Sequence, residues 1–153
     1  MRRPTLAELW TRLSVLPMGK TLFSVLLGRL APYTGTIGAR IIELEPGYSK
    51  VIMRDRGAVR NHLNSVHAIA LMNLGEVATG IAVMVAIDGQ GRGIITQLKM
   101  DYVKKARGTI TATCHTTLPT TPGKHDLTVE GTLRDEAGDE VARATATWRI
   151  DLR

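Results

Sequence analysis

Aromatic residues are scarce in this chain of 153 residues, with one Phe, two Trp and three Tyr. A core of stacked rings is therefore excluded, and Leu, Ile, Val, Met and Ala must fill it. Cysteine is scarcer still. Cys114 stands alone, which excludes an internal disulfide framework and fits a reducing compartment. A metal-ligand spacing, a glycine-rich dinucleotide fingerprint and a P-loop are all missing, so neither a metal nor a cofactor is expected. Met1-Arg2-Arg3 has the charge of a signal-peptide start. However, Glu8 and Arg12 interrupt the apolar stretch that follows, and no small-residue cleavage site comes after it. Thr21 to Ala31 is too short to span a bilayer and contains Arg29. The expectation is a soluble, cytoplasmic protein.

Acid is also in deficit. Twenty Lys and Arg face fourteen Asp and Glu, a net charge of +6, which favours polyanionic partners: nucleic acid, an acidic membrane surface or a phosphorylated small molecule. The basic residues concentrate locally at Arg54, Arg56 and Arg60 and at Lys99, Lys104, Lys105 and Arg107. No zinc spacing, basic zipper or aromatic ladder accompanies them, so nucleic acid is not an expected partner. Solvated surface charge is the competing reading.

Thr5-Leu6-Ala7-Glu8 has the form of a capping box, in which two side chains satisfy orphan backbone donors reciprocally. Leu6, Leu9, Trp10, Leu13 and Leu16 then recur at helical spacing until Pro17 and Gly19 stop them. A second helix is predicted over about 20–30, ending before Pro32. These helices read as an extension over residues 1–33, serving as a lid, a membrane-facing surface or plain packing; residues 34–153 form the main domain.

From Thr36 the period becomes two. Ile37, Ala39 and Ile41 alternate, Glu45-Pro46-Gly47 makes a turn, and 48–54 returns as a strand. A polar loop, 55–66, leads into a helix predicted over about 67–86. That helix is apolar nearly all round, so it must be covered on most sides. Glu76, Asn73 and two glycines within it argue against a membrane span. Four strand-like segments follow, in which Leu98, Met100 and Tyr102, then Ile110, Ala112 and Cys114, then Leu127 and Val129, then Ala144, Ala146, Trp148 and Ile150 occupy alternate positions. Short breaks between consecutive strands imply antiparallel pairing. A long buried helix and an antiparallel sheet give an α+β architecture, and the sheet must curl round a helix this apolar. The expected arrangement is a hotdog fold, whose sheet rim pairs with a second copy as a homodimer or dimer of dimers.

The chemistry concentrates in Arg60-Asn61-His62-Leu63-Asn64-Ser65-Val66-His67, just ahead of the predicted helix N-terminus. There the first backbone N–H groups lack intrahelical partners and the macrodipole is positive, so an oxyanion can be stabilised. Asn64 or Ser65 acting simply as the N-cap is the plainer reading. Glu76 sits two and a half turns into the apolar helix. Desolvation there would raise its pKa toward the range of a general base, whereas a structural ion pair would leave it inert. Cys114 and His115 face opposite ways on a predicted strand and form no nucleophile–base pair. His125 falls in a predicted turn.

The run Asn61-x5-His67-x8-Glu76 resembles hotdog thioesterases of the phenylacetyl-CoA and 4-hydroxybenzoyl-CoA type, which present a loop Asn, a His-Gly-Gly opening the central helix, and an acid nine residues after that His. Pro32-Tyr33-Thr34-Gly35, Arg60 to Leu63, His67 to Leu71 and Tyr102 to Gly108 are similar to a little-characterised branch of the same superfamily. The resemblance implies hydrolysis of an acyl-CoA thioester, with coenzyme A as part of the substrate. It gives Glu76 the role of activating water, or of attacking the thioester carbonyl to form an anhydride. Asn61, from the opposite subunit, would position the water or substrate. The N–H groups near Ala68 and Ile69 would polarise the carbonyl, while His67 orients the loop. Asn64 and Ser65 would contact substrate, and Lys104, Lys105 and Arg107 would meet the coenzyme A arm and phosphates. The chain departs from the family where Ala68-Ile69 replaces Gly-Gly. Ile69 narrows the approach to the backbone, which leaves a non-catalytic acyl-CoA or lipid-binding protein as the alternative.

Overall fold

The computed structural model describes residues 4–153; Met1, Arg2 and Arg3, on which the signal-peptide reading turns, lie outside them. Helix α1, Leu6–Leu13, begins on the expected capping box: Thr5 Oγ1 accepts from Glu8 N at 3.2 Å and Glu8 Oε2 accepts from Thr5 N at 3.0 Å. Helix α2 spans Gly19–Leu30, and a single extra turn, α3, spans Pro32–Gly35, because Pro32 is suited to a first helical position. Phe23 of α2 is 1% exposed and packs edge-on to Trp10, so the helices close part of the main core.

Strand β1 spans Arg40–Glu45, starting later than the alternation from Ile37 implies. Gly38 has φ +64°, a left-handed conformation that ends the α3 turn and excludes extended chain before position 39. The tight Glu45–Tyr48 connection leads into β2, Tyr48–Met53. Gly47 is confined there as well, because a Cβ on it would collide with the Thr116 carbonyl. The remaining strands are β3 (Gly91–Tyr102), β4 (Ile110–His115), β5 (Gly123–Arg134) and β6 (Glu140–Leu152). His125 lies within β5 rather than in a turn.

The six strands form one antiparallel sheet in the order β1-β2-β4-β5-β6-β3. Consecutive pairing therefore holds for β1–β2, β4–β5 and β5–β6 but fails for β3 and β4. Strand β3 crosses to the far edge and pairs along its length with β6, from Gly91 opposite Leu152 to Tyr102 opposite Ala142. Central helix α4, Ala68–Ala86, touches every strand. It is long and apolar enough to cross a membrane, yet the sheet covers it, burying Leu71, Leu74, Ala78, Ile81 and Val85 among others. Gly75 and Gly80 let the sheet approach closely. A Cβ on Gly75 would stand 2.7 Å from the Ala144 Cβ. This is the hotdog arrangement expected from the sequence.

Candidate active site

The Asn61 loop is held by bonds made mostly within itself. Asn61 Oδ1 accepts from Leu63 N (2.9 Å), Ser65 N (3.2 Å) and Ser65 Oγ (3.1 Å), while Asn61 N donates to Ser65 O at 2.8 Å. This is the local turn chemistry to which Asn is suited, and Asn64 completes it in the left-handed region at φ +54°. Asp55 anchors the loop from outside, accepting from Arg60 Nε at 2.6 Å and from Gly108 N at 2.9 Å. The Arg60 guanidinium holds the Asp55 carboxyl below the ordinary carboxylate range. Val66 N donates to Ala106 O, which ties the loop to the β3–β4 connection.

The α4 N-cap is His67, correcting the expectation that Asn64 or Ser65 fills that role. Its Nδ1 accepts from Ile69 N at 3.0 Å. One consequence bears on the oxyanion expectation: the Ile69 N–H is already engaged. The Ala68 and Ala70 N–H groups have no partner among the described residues. Ile69 itself is 50% exposed and stands beside this helix end.

Glu76 lies on the one line of α4 that the sheet leaves half-buried, with Met72 four residues before it and Met84 eight after. Burial alone raises its carboxyl pKa above the ordinary value, and no cation pairs with it among the described residues, so the ion-pair reading falls away. The carboxyl borders a cavity of about 180 Å³ between α4 and the N-terminal helices, walled by Leu6, Leu27, Ile81, Met84 and Trp148. Helices α1 and α2 thus roof the Glu76 pocket. Of Ile69, Met72 and Met84, only Met84 lines it.

Trp148 gave no functional signal in the sequence, where it is one apolar position in an alternating strand. In the fold it is 6% exposed, and its Nε1 is a buried donor with no partner among the described residues. A Cβ on Gly80 would lie 3.2 Å from Trp148 Cζ2 and 3.6 Å from Glu76 Oε1. The Trp148 ring and the Glu76 carboxyl thus both lie against Gly80 and border the same cavity. Only a fold-level observation, the orphaned N–H, finds this residue.

Within one chain the expected site residues fall into separate groups. Asn61, Ser65, Ala68, Lys104 and Lys105 border one cavity of about 230 Å³, together with Tyr102, whose hydroxyl donates to Ala68 O at 2.8 Å. His67 and Ile69 border a neighbouring one, and Glu76 a third. Asn64 and Arg107 line none of the three. Lys104 is committed elsewhere, its Nζ 2.8 Å from both Asp135 and Asp139 carboxylates, which leaves Lys105 as the cation of that cavity without an ion pair among the described residues. Along α4, eight residues separate Ala68 from Glu76, about 12 Å at 1.5 Å per residue. The other reactive side chain, Cys114, is buried, and that burial pushes its thiol up to about 12.

This architecture, with an acid on the central helix and a polar loop at its N-terminus, is that of the hotdog-fold thioesterase superfamily. The family described as "Domain of unknown function (DUF4442)" matches residues 19–150, and the chain belongs to it. No curated protein matches. Among solved structures, the structural-genomics protein APC5556 is 29% identical, covers 97% of this chain and 99% of its own, and superposes with a TM-score of 0.83. PA5026 from Pseudomonas aeruginosa, described as a probable thioesterase, is 26% identical over 90% of this chain and 97% of its own, with a TM-score of 0.78. The thioesterase HI1161 from Haemophilus influenzae, 13% identical over 82% of this chain and 88% of its own, shares the fold at a TM-score of 0.70.

Proposed function

We propose that the chain hydrolyses acyl-CoA thioesters to a carboxylic acid and coenzyme A. The observation that carries this reading is Glu76: a carboxyl raised by burial, without an ion pair among the described residues and bordering a cavity with apolar walls, which is the environment a general base needs near neutral pH. Glu76 takes a proton from water and the resulting hydroxide attacks the thioester carbonyl. Because Ala68 and Glu76 stand about 12 Å apart along one α4, the oxyanion donor is the Ala68 N–H at the positive end of a second copy's α4, and collapse breaks the C–S bond as Glu76 returns the proton to the departing thiolate. Lys105 and Arg107 meet the coenzyme A phosphates.

Because Asn61 and Glu76 border different cavities of one chain, the proposal includes a second copy. Strand β3 offers twelve residues of edge paired on one side only, by β6. Joining two such edges as a homodimer brings the Asn61 loop of one copy to Glu76 of the other. The setting is cytoplasmic, in keeping with one buried thiol.

The test is thiol release from a panel of acyl-CoAs of different chain length by wild type and Glu76→Gln. Wild-type turnover should be abolished or nearly so in Glu76→Gln. Mixing Asn61→Ala with Glu76→Ala should restore turnover if the site is shared. Full activity in Glu76→Gln would overturn the reading. The second reading, a non-catalytic acyl-CoA binder, draws on the Ile69 N–H being taken by His67 and on Ile69 standing where the thioesterases that the sequence resembles have Gly. It predicts thermal stabilisation by acyl-CoA with no thiol released by wild type.

A further inference from the structure

The helical segment ahead of β1 differs from the rest of the molecule in charge and in what it exposes. Residues 1–39 contain Arg2, Arg3, Arg12, Lys20 and Arg29 against one acid, Glu8, so a quarter of the chain carries +4 of its +6. At the turn from α1 to α2, Val15 (79% exposed), Leu16 (54%) and Met18 (74%) project together. Leu22 and Val25 continue outward along α2, with Arg29 beyond them, at spacings i, i+3 and i+7, while Phe23 faces the core. Surface helices ordinarily turn polar residues outward; this one is apolar on both faces. Leu30 and Tyr33 extend the exposed patch to α3.

The patch adjoins a groove of about 780 Å³ between α2 and β1, with Val25 in its wall and Arg29 and Arg40 also lining it. Leu27, Thr34 and Val77 wall both this groove and the Glu76 pocket. Arg12 and Arg29 have no ion-pair partner among the described residues, and Glu43 of β1 is held by Tyr48 and Lys50. Strands β1 and β3 are the two opposite edges of the sheet, so copies joined through β3 leave the β1 side open.

We infer that this face docks on an anionic lipid surface. Val15, Leu16 and Met18 enter the headgroup–acyl boundary, and Arg12 and Arg29 lie against the phosphates. Exposed apolar side chains flanked by cations are what an interfacial helix presents to a bilayer, and the local positive excess selects an anionic one. The docking stands apart from the proposed hydrolysis, since it needs neither Glu76 nor turnover.

The experiment is co-sedimentation of the full chain with vesicles of phosphatidylcholine, with and without phosphatidylglycerol, at low and high salt. Binding should require phosphatidylglycerol and weaken with salt. Arg12→Gln with Arg29→Gln should weaken partition roughly 30-fold, about fivefold per charge. Leu16→Ser with Met18→Ser should weaken it at least tenfold. All four positions are exposed, and unchanged far-UV circular dichroism will confirm folding. Absence of binding to anionic vesicles, or variants that bind like wild type, would overturn the inference. So would a drop in oligomer mass by light scattering in Leu16→Ser with Met18→Ser while wild type ignores vesicles; that outcome would assign the face to a second copy of the chain.

Discussion

Replacing Glu76 by Gln tests the physical basis of the site as well as its chemistry. The side chain is half-buried on α4, against Leu6, Leu27, Ile81, Met84 and Trp148, and no cation offsets its charge among the described residues. Desolvation penalises the ionised form, so the folded pKa lies above the unfolded one. The folded state then binds more protons than the unfolded state between those two values, and stability falls as pH rises through that window. One proton linked in this way gives a slope of at most about 1.4 kcal/mol per pH unit. Glu76→Gln keeps the shape and removes the titration. Its stability should match wild type near pH 4 and exceed it at pH 7–8, with the gap opening above the ordinary carboxylate range. For a domain of this size each kcal/mol appears as roughly 2–4 °C in Tm. Loss of a general base should lower kcat by about 10²–10⁴-fold, or roughly 3–5 kcal/mol of barrier. The assays are urea unfolding at half-unit pH steps and thiol release at pH 8. Parallel stability curves for the two proteins would refute the desolvation argument, and undiminished kcat would refute the base.

Three other perturbations are worked from single contacts. Gly75→Ala should destabilise by about 1–2 kcal/mol by thermal melt, because its methyl would meet Ala144 Cβ at 2.7 Å and Met100 Cε at 3.0 Å, outweighing the helix-propensity gain of roughly 1 kcal/mol. Asn61→Ala removes the acceptor of three hydrogen bonds, so amide exchange across 61–66 should accelerate and stability should fall by about 1–3 kcal/mol. Cys114, buried and with its thiol pushed up to about 12, should resist a thiol reagent in the folded protein at pH 8 and react at once in denaturant.

Much of the architecture was legible before any coordinates, for reasons that are local. The Thr5/Glu8 box, the all-round hydrophobicity of Ala68–Ala86 and the period-two alternation in β4 and β6 are each set within a few residues, and each reappears in the fold. The choice facing Glu76 was legible too, because a carboxyl in an apolar helix must be desolvated or paired wherever that helix packs; which of the two holds was not. Asn61, His67 and Glu76 stood out by spacing, but spacing could not say which cavity each would border.

Tertiary structure decided what depends on distant chain. Alternation marks a strand without naming its neighbour, so β3 crossing past β4 to pair with β6 was invisible. His67 capping α4 instead of Asn64 or Ser65 followed from Asn61 consuming the Ser65 hydroxyl and from Val59 O accepting His67 N. Lys104 is taken by Asp135 and Asp139, more than thirty residues away, and Trp148 reaches the Glu76 pocket only because Gly80 lets β6 come close. Sequence alone determined the elements and the one acid that must be out of water. Long-range packing determined which polar groups are spent on holding the fold and which remain free to act.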